Sequence, residues 1–483
     1  LFAWIKQGFF GNTRKDILSG LTVAFALIPE AIAFSIMAGV DPMVGLYASF
    51  VIAVSISFFG GRPGMISAAT GAMASLMGPL VAKHGIEYLY AATVLTGLLQ
   101  WLMGALKFGR FISFVPQPVI TGFVNSLAII IFLAQLPNFV GESWPMYLMV
   151  AGTLLIIYVL PLLTKAVPSA LVAIIVMTII AVWTGAPVRT VGDMGNITQT
   201  LPFFHIPDVY ISLEMIMTIL PISLALAVVG MTESLLTASL VDELTETDSD
   251  KNREIRGQGV ANVITGFFGG MAGCAMIGQT VINVKSGGRT RLSTFVAGVF
   301  LLFLIIVLGD VVKQIPMAAL VGVMFMVSIG TFEWNSLRTL HRIPLADTVV
   351  MLATVIIVVA THNLAIGVMI GIVLSALNFG WKMARIYANP HIEANGVKVY
   401  EIRGQLFFGT AMYFIRLFDA HNDPDHVTID FSKSHVWDQS GTDAISKIFT
   451  KYKEAGKHMT IVGLNEESKR MVERIGLAST SSH

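Results

Sequence analysis

Long apolar runs separated by short polar or charged turns fill the first 386 residues of the chain. A helix needs about 20 apolar residues to cross the hydrocarbon core of a bilayer, with a tolerated range of roughly 17–25. Measured against that length, the runs predict fourteen spans. The first seven start near Ile17, Met43, Ser67, Tyr88, Val119, Met146 and Val167. The second seven start near Leu213, Gly257, Gly273, Leu292, Ile315, Leu345 and Leu364. Two spans are weak: residues 66–79 (ISAATGAMASLMGP) and 273–288 (GCAMIGQTVINVKSGG) are too short or too interrupted for one clean crossing. They hold the third place in each set of seven. An odd number of spans per half turns the second half over, so the count predicts a 7+7 inverted repeat. Paired interrupted segments in such an architecture aim helix N-termini at a binding site near the membrane midplane.

Charge tests this layout through the excess of Lys and Arg expected on the cytoplasmic side. With both termini inside, the inner segments carry Lys6, Arg14, Lys15, Arg62, Lys107, Arg110, Lys165, Lys251, Arg253, Arg256, Lys285, Arg289, Arg291, Arg338, Arg342, Lys382 and Arg385. The outer loops carry only Lys83, Arg189 and Lys313, and dropping one weak span would scramble the division. No cleavable signal peptide is apparent, because the first apolar run follows Arg14, Lys15 and Asp16 and leads into further spans. His84 and His362 fall in predicted outer loops without a function. Charged residues make up 13% of the chain, about half of what a soluble protein carries, which agrees with a polytopic α-helical membrane protein.

After Tyr387 the pattern changes. Asn389-Pro390 breaks the last helix, and the tail holds 11 of the 31 Lys and Arg. Residues 397–404, 427–431 and 458–464 read as strands; residues 443–455 and 466–475 read as amphipathic helices. That alternation predicts a small cytoplasmic α/β domain over 388–483, after a transmembrane domain over 1–387.

Candidate chemistry gathers in four spans. In the first, Pro29 removes a backbone hydrogen bond and Glu30 places an ionisable group at membrane depth. The pair reads either as a cavity-lining kink with a functional carboxylate or as a packing kink whose Glu30 meets a neighbour's polar group. In the third span Thr70, Gly71 and Ala72, and in the tenth Gly278, Gln279 and Thr280, sit where the helices should begin. A helix N-terminus carries about half a positive charge and free amide N–H groups, so two such ends can hold a small anion without a cationic side chain. Small residues there also serve tight helix packing; the matched positions favour the site. In the eighth span Glu233 and Thr237 share a helix face, a pair of oxygen ligands suited to Na⁺, while protonation of Glu233 alone suits H⁺. The run at 242–256 reads as a solvated charged loop, only superficially like a Ca²⁺ loop. The lone Cys274 excludes an internal disulfide, and no cofactor, resident metal or nucleic-acid surface is indicated.

The stretch PEAIAFSIMAGVDPMVGLYASF at 29–50 resembles the signature of the SulP, or sulfate permease-type, anion transporters. The resemblance continues through SAATG at 67–71, ESLLT at 233–237, NREIRGQGVAN at 252–262 and GGRT at 287–290, and the tail resembles a STAS domain. It implies core and gate domains, with spans one, three, eight and ten in the core. Many vertebrate members carry an arginine where this chain has Gln279, so a fixed positive charge is missing here. The Glu233–Thr237 pair is similar to the Na⁺ site of cyanobacterial bicarbonate transporters, where the acid is aspartate. The DQSG run at 438–441 resembles the motif of anti-sigma-factor antagonists whose serine is phosphorylated; Ser440 reads equally as a helix N-cap.

These readings predict a multi-pass inner-membrane protein that works as a homodimer and imports bicarbonate or sulfate with Na⁺ or H⁺. Competing expectations are an anion exchanger, a dicarboxylate or nucleobase symporter, an uncoupled channel, and a receptor signalling through Ser440. An enzyme is not expected, since no acid/base pair, nucleophile triad or metal spacing stands out.

Overall fold

The structure, a computed structural model, describes residues 8–9, 11–110, 115–164, 169–194, 198–361, 364–394, 396–474 and 476. Lys6, Lys165, His362, the predicted span start at Val167 and the predicted helix end at Ile475 lie outside them. The chain forms two compact units, Leu1–Ile372 and Val373–His483.

Helices occupy the positions that the apolar runs predict. The first half holds α1 (Thr13–Met37), α2 (Pro42–Phe59), α3 (Gly71–His84), α4 (Ile86–Ala105), α5 (Gln117–Gln135), α6 (Trp144–Leu163) and α7 (Ser169–Thr184). The second holds α8 (Leu213–Thr245), α9 (Lys251–Phe267), α10 (Ile277–Lys285), α11 (Arg291–Lys313), α12 (Met317–Thr331), α13 (Leu345–Thr361) and α14 (Leu364–Met383). Starts follow local chemistry: α2 opens on Pro42, whose missing N–H costs nothing there, and Thr290 caps α11 by accepting from the Leu292 amide at 3.2 Å. Among the described residues, seven helices are long and apolar enough to cross a membrane. Leu162 and Trp183 stay more than 80% exposed, as side chains whose solvent is lipid do.

The two weak spans differ from the prediction. Each opens as a strand before its helix: β1 (Ser67–Ala69) precedes α3, and β2 (Gly273–Ala275) precedes α10. The strands pair antiparallel, with Ala68 opposite Cys274. Backbone inside a membrane protein must find hydrogen-bond partners within the protein. Two buried non-helical segments meet that demand by bonding each other. Gly273 is required for the approach, because a Cβ there would strike the Ala68 carbonyl. An apolar-length test cannot find a three-residue strand.

The charged run at 242–256 is also not a simple solvated loop. Its first residues end α8, Asp250 caps α9 by accepting from the Arg253 amide at 2.9 Å, and Glu254 is fully buried. Asp242 pairs with Arg62 at 3.0 Å and Lys251 at 2.5 Å, while Glu254 accepts from the amides of Gly61 (2.7 Å) and Arg62 (3.0 Å). Charges in this run tie down the turn before β1. Asp16 does the same for the turn after α10, accepting from the amides of Arg289 (2.8 Å) and Thr290 (3.1 Å).

The second unit carries a four-stranded sheet ordered β3 (Ile386–Ile392), β4 (Lys398–Leu406), β5 (His426–Val436) and β6 (His458–Val462). Its helices are the short α15 (Ala411–Ile415), α16 (Gln439–Glu454) and α17 (Glu466–Arg474). Ile445, Ile448 and Tyr452 of α16 form one buried stripe in the same core as Ile402, Ile429 and Phe431 of the sheet. The strand β3 went unread because Asn389-Pro390 looks like a helix breaker. Pro390 instead sits on the edge strand, where a missing donor is tolerated. The helix cap is Asp438, which accepts from the Gly441 amide at 2.9 Å, so Ser440 lies inside the first turn and is not the N-cap.

Candidate functional site

The strand pair fixes where the helix ends lie. Thr70, with extended backbone (φ −128°, ψ 156°), is the residue before α3; Met276 holds that place before α10. Each strand is also held by side chains from helices beside it. The hydroxyl of Ser49 accepts from the Ala69 amide (3.3 Å), and that of Ser234 accepts from the Ala275 amide (3.2 Å). From α9, Asn262 accepts from the Gly273 amide (2.9 Å) and donates to its carbonyl (3.0 Å), where Gln258 also donates (2.9 Å). These amides sit within the NREIRGQGVAN stretch. Their signal in the sequence was polarity inside a predicted span, which is expensive unless bonded.

The two helix ends are not equivalent. Thr70, Gly71 and Ala72 are buried, and a Cβ on Gly71 would meet Phe34 at 2.8 Å and Ile131 at 3.2 Å. Gly71 therefore serves close packing. Gly278 is exposed, and a Cβ there would face open space. Gln279, on α10, is buried, and its side chain lies near that of Glu30 on α1. Pro29 lies inside the unbroken α1 and is buried. Thr280 faces the other half: its hydroxyl accepts from the Ile66 amide at 3.0 Å, anchoring the start of β1.

Glu233 lies in α8 beside the strand pair and is 8% exposed. Its Oε2 accepts a hydrogen bond from the Cys274 thiol at 2.8 Å, and the Cys274 sulfur lies 3.2 Å from the Thr70 hydroxyl. Thr237 donates its hydroxyl proton to the Glu233 backbone carbonyl at 2.8 Å, leaving its oxygen lone pairs available. Among the described residues neither Glu30 nor Glu233 takes part in an ion pair. A buried carboxylate without a cationic partner is costly, so it must be protonated or hold a cation. Cys274 escaped the sequence reading as a site residue because a single cysteine in an apolar run carries no motif.

Comparison with known proteins bears on what this arrangement does. A model of the sulfate permease family matches residues 13–147 and 142–354, and one of the STAS domain matches 390–481. The protein of Bacillus subtilis (strain 168) named "Putative sulfate transporter YbaR" is 59% identical over 471 residues, covering 98% of each chain. Among solved structures, the transmembrane domain of a cyanobacterium bicarbonate transporter, BicA, matches with a TM-score of 0.67 and 27% identity. It covers 76% of this chain and 98% of that one. The structure of SLC26A9 has the same fold by a TM-score of 0.84 at 16% identity, over 98% of this chain and 88% of the other.

Proposed function

The chain belongs to the sulfate permease family, and from that premise we propose that it is a secondary active transporter importing bicarbonate or sulfate with Na⁺ or H⁺. The observation that carries the coupling is Glu233, a buried carboxylate without a cationic partner, hydrogen-bonded through Cys274 to Thr70 at the start of α3. The anion sits at the amide ends of α3 and α10, with Thr70, Gly71 and Ala72 at the start of the first and Gly278, Gln279 and Thr280 at the start of the second. Glu233 and Thr237 hold the cation. Gln279 adds no positive charge, so the cation and the helix ends balance the anion. Carboxylate and hydroxyl oxygens suit Na⁺, and a buried carboxyl suits H⁺ equally.

In this reading α1, α3, α8 and α10 move as a core against the remaining helices. Fourteen spans place both termini and the tail, residues 388–483, on the cytoplasmic side of the plasma membrane, and the protein works as a homodimer. Relatives named for sulfate and for bicarbonate transport support both anions as substrates.

Uptake into proteoliposomes of labelled bicarbonate and labelled sulfate, under imposed Na⁺ or H⁺ gradients, tests the proposal. One anion should accumulate under one gradient. Absence of gradient-driven accumulation of either anion would contradict it. The Glu233→Gln variant should fold normally and lose gradient-driven uptake; wild-type uptake with unchanged ion dependence would remove Glu233 from the coupling role.

A further inference from the structure

The start of α5, the start of α13 and the short helix Trp334–Arg338 enclose a cavity of about 360 Å³ that plays no part in the proposed transport site. At its inner end α5 and α13 pack tightly: a Cβ on Gly122 would meet the Met351 carbonyl and Thr354, both at 2.9 Å. One wall is pinned from α5 by Asn125, a buried amide in an apolar span. Its Nδ2 donates to the Ser336 hydroxyl at 2.9 Å, and its Oδ1 accepts from the Glu333 amide at 2.8 Å. Two acidic residues, Glu333 and Asp347, line the cavity beside Gln117 and Asn335; among the described residues no Lys, Arg or His lines it. Thr348 lines it too, is only 6% exposed, and has a hydroxyl without a hydrogen-bond partner. Elsewhere in α13 the hydroxyls of Thr354 and Thr361 donate to the carbonyl four residues back, at 2.8 and 2.7 Å. A buried hydroxyl left unbonded is costly, and in a polar cavity wall it marks where a ligand's donor would fit.

Charge changes sign at the rim. Arg338 ends the short helix and Arg342 follows it, both exposed, and Trp334, Leu337 and Leu345 are exposed on the same stretch of chain. Acids inside, bases at the rim and apolar side chains beyond fit a ligand with a positive head, a negative group behind it and a hydrocarbon tail. We propose that the cavity holds the headgroup of a zwitterionic aminophospholipid of the phosphatidylethanolamine class. The ammonium gives its three N–H donors to Glu333, Asp347 and the Thr348 hydroxyl. The phosphate meets Arg338 and Arg342, and the acyl chains lie along Trp334, Leu337 and Leu345, the residue types that sit at membrane interfaces. The inference requires only that these helix ends meet a membrane surface, and it is independent of the transported ions. A free polyamine would have to pass the two rim arginines, whereas the lipid's own phosphate pairs with them. A glycerol headgroup lacks the cation, and a choline headgroup carries no N–H to donate.

The test uses the full-length protein, delipidated in detergent, with lipid binding followed by native mass spectrometry and the melting temperature read in parallel. Phosphatidylethanolamine should bind about tenfold more tightly than phosphatidylcholine or phosphatidylglycerol with the same acyl chains, the worth of one charge-assisted hydrogen bond. Glu333→Gln should bring phosphatidylethanolamine to within about twofold of phosphatidylcholine on that scale, and because Glu333 is exposed the variant keeps the fold. Thr348→Val should weaken phosphatidylethanolamine binding about threefold or more, while the lipid-free variant melts no lower than wild type, since the substitution removes an unbonded buried hydroxyl. Equal affinity for ethanolamine and choline headgroups in wild type, or a preference unchanged in both variants, would overturn the inference. So would spermidine or free phosphoethanolamine displacing the lipid at equal concentration, which would assign the cavity to a soluble amine.

Discussion

The beginnings of α3 and α10 hold matching places in the chain, each behind a three-residue strand, yet they are built differently. The α3 end is closed: Gly71 is pressed against Phe34 and Ile131, and Thr70 is bonded to Cys274. The α10 end is open at Gly278, with Gln279 buried near Glu30. The shared strand pair holds the ends in place. In the proposed transport cycle the packed end, linked to Glu233, would respond to the cation, and the open end would admit and release the anion.

Breaking the element that both ends share should have the largest effect. Gly273→Val would drive a side chain into the Ala68 carbonyl and into Ile52, 2.6 Å from the new Cβ. The expected result is loss of folded protein, seen as aggregation in size-exclusion chromatography. Strain that relaxed by small shifts would cost only about 1–3 kcal/mol, and a well-folded Gly273→Val protein would show that the strand pair is not the organising element. Next comes the contrast between the ends. Gly71→Ala should lower thermal stability by about 1–3 kcal/mol through overpacking against Phe34. Gly278→Ala should leave stability unchanged or raise it by up to about 1 kcal/mol, because nothing obstructs the methyl. It should nevertheless raise the anion KM, since that methyl faces the open end. Equal melting temperatures for the two variants would remove the distinction between the ends.

The smallest effect on transport is expected far from both ends. In the tail, Asp423 accepts from Lys398 (2.6 Å), Tyr400 (2.8 and 3.0 Å) and Tyr452. Burial pushes its carboxyl up, but the hydrogen bonds from Lys398, Tyr452 and Tyr400 outweigh it and hold the group below its ordinary range. A depressed folded-state value means that its stabilisation is complete above the unfolded carboxyl's range, about pH 4, and is lost as pH falls through the lower value. Asp423→Asn should weaken the tail by about 1–3 kcal/mol, measured by hydrogen exchange of the β4 and β5 amides, and leave the anion KM unchanged. A shifted KM would tie the tail to the helix ends.

Helix positions were legible because each needs a long apolar run and its ends carry charge or proline. The strands β1 and β2 were not, since Ser67-Ala-Ala and Gly273-Cys-Ala are small residues that read as helix until their partner is known. Glu30, Gln279, Glu233 and Thr70 were all readable as candidates, for a polar group in an apolar run must have a reason. Their connections were not readable. The Cys274 link spans 204 residues to Thr70 and 41 to Glu233, a distance no local pattern covers. Ser440 illustrates the reverse case: a motif placed it correctly at a helix start, but Asp438 two residues earlier is the better cap.

The central claim is that the anion at the helix ends and the cation at Glu233 bind as linked sites. Equilibrium binding of the labelled anion to purified wild-type protein, with and without the coupling cation, tests it most directly when the reciprocal titration is done on the same sample. Linkage requires that the cation tighten anion binding, and the anion tighten cation binding, by the same factor. The account predicts equal factors well above one. Anion affinity that is the same with and without Na⁺, and the same when Glu233 is protonated at lower pH, would contradict it.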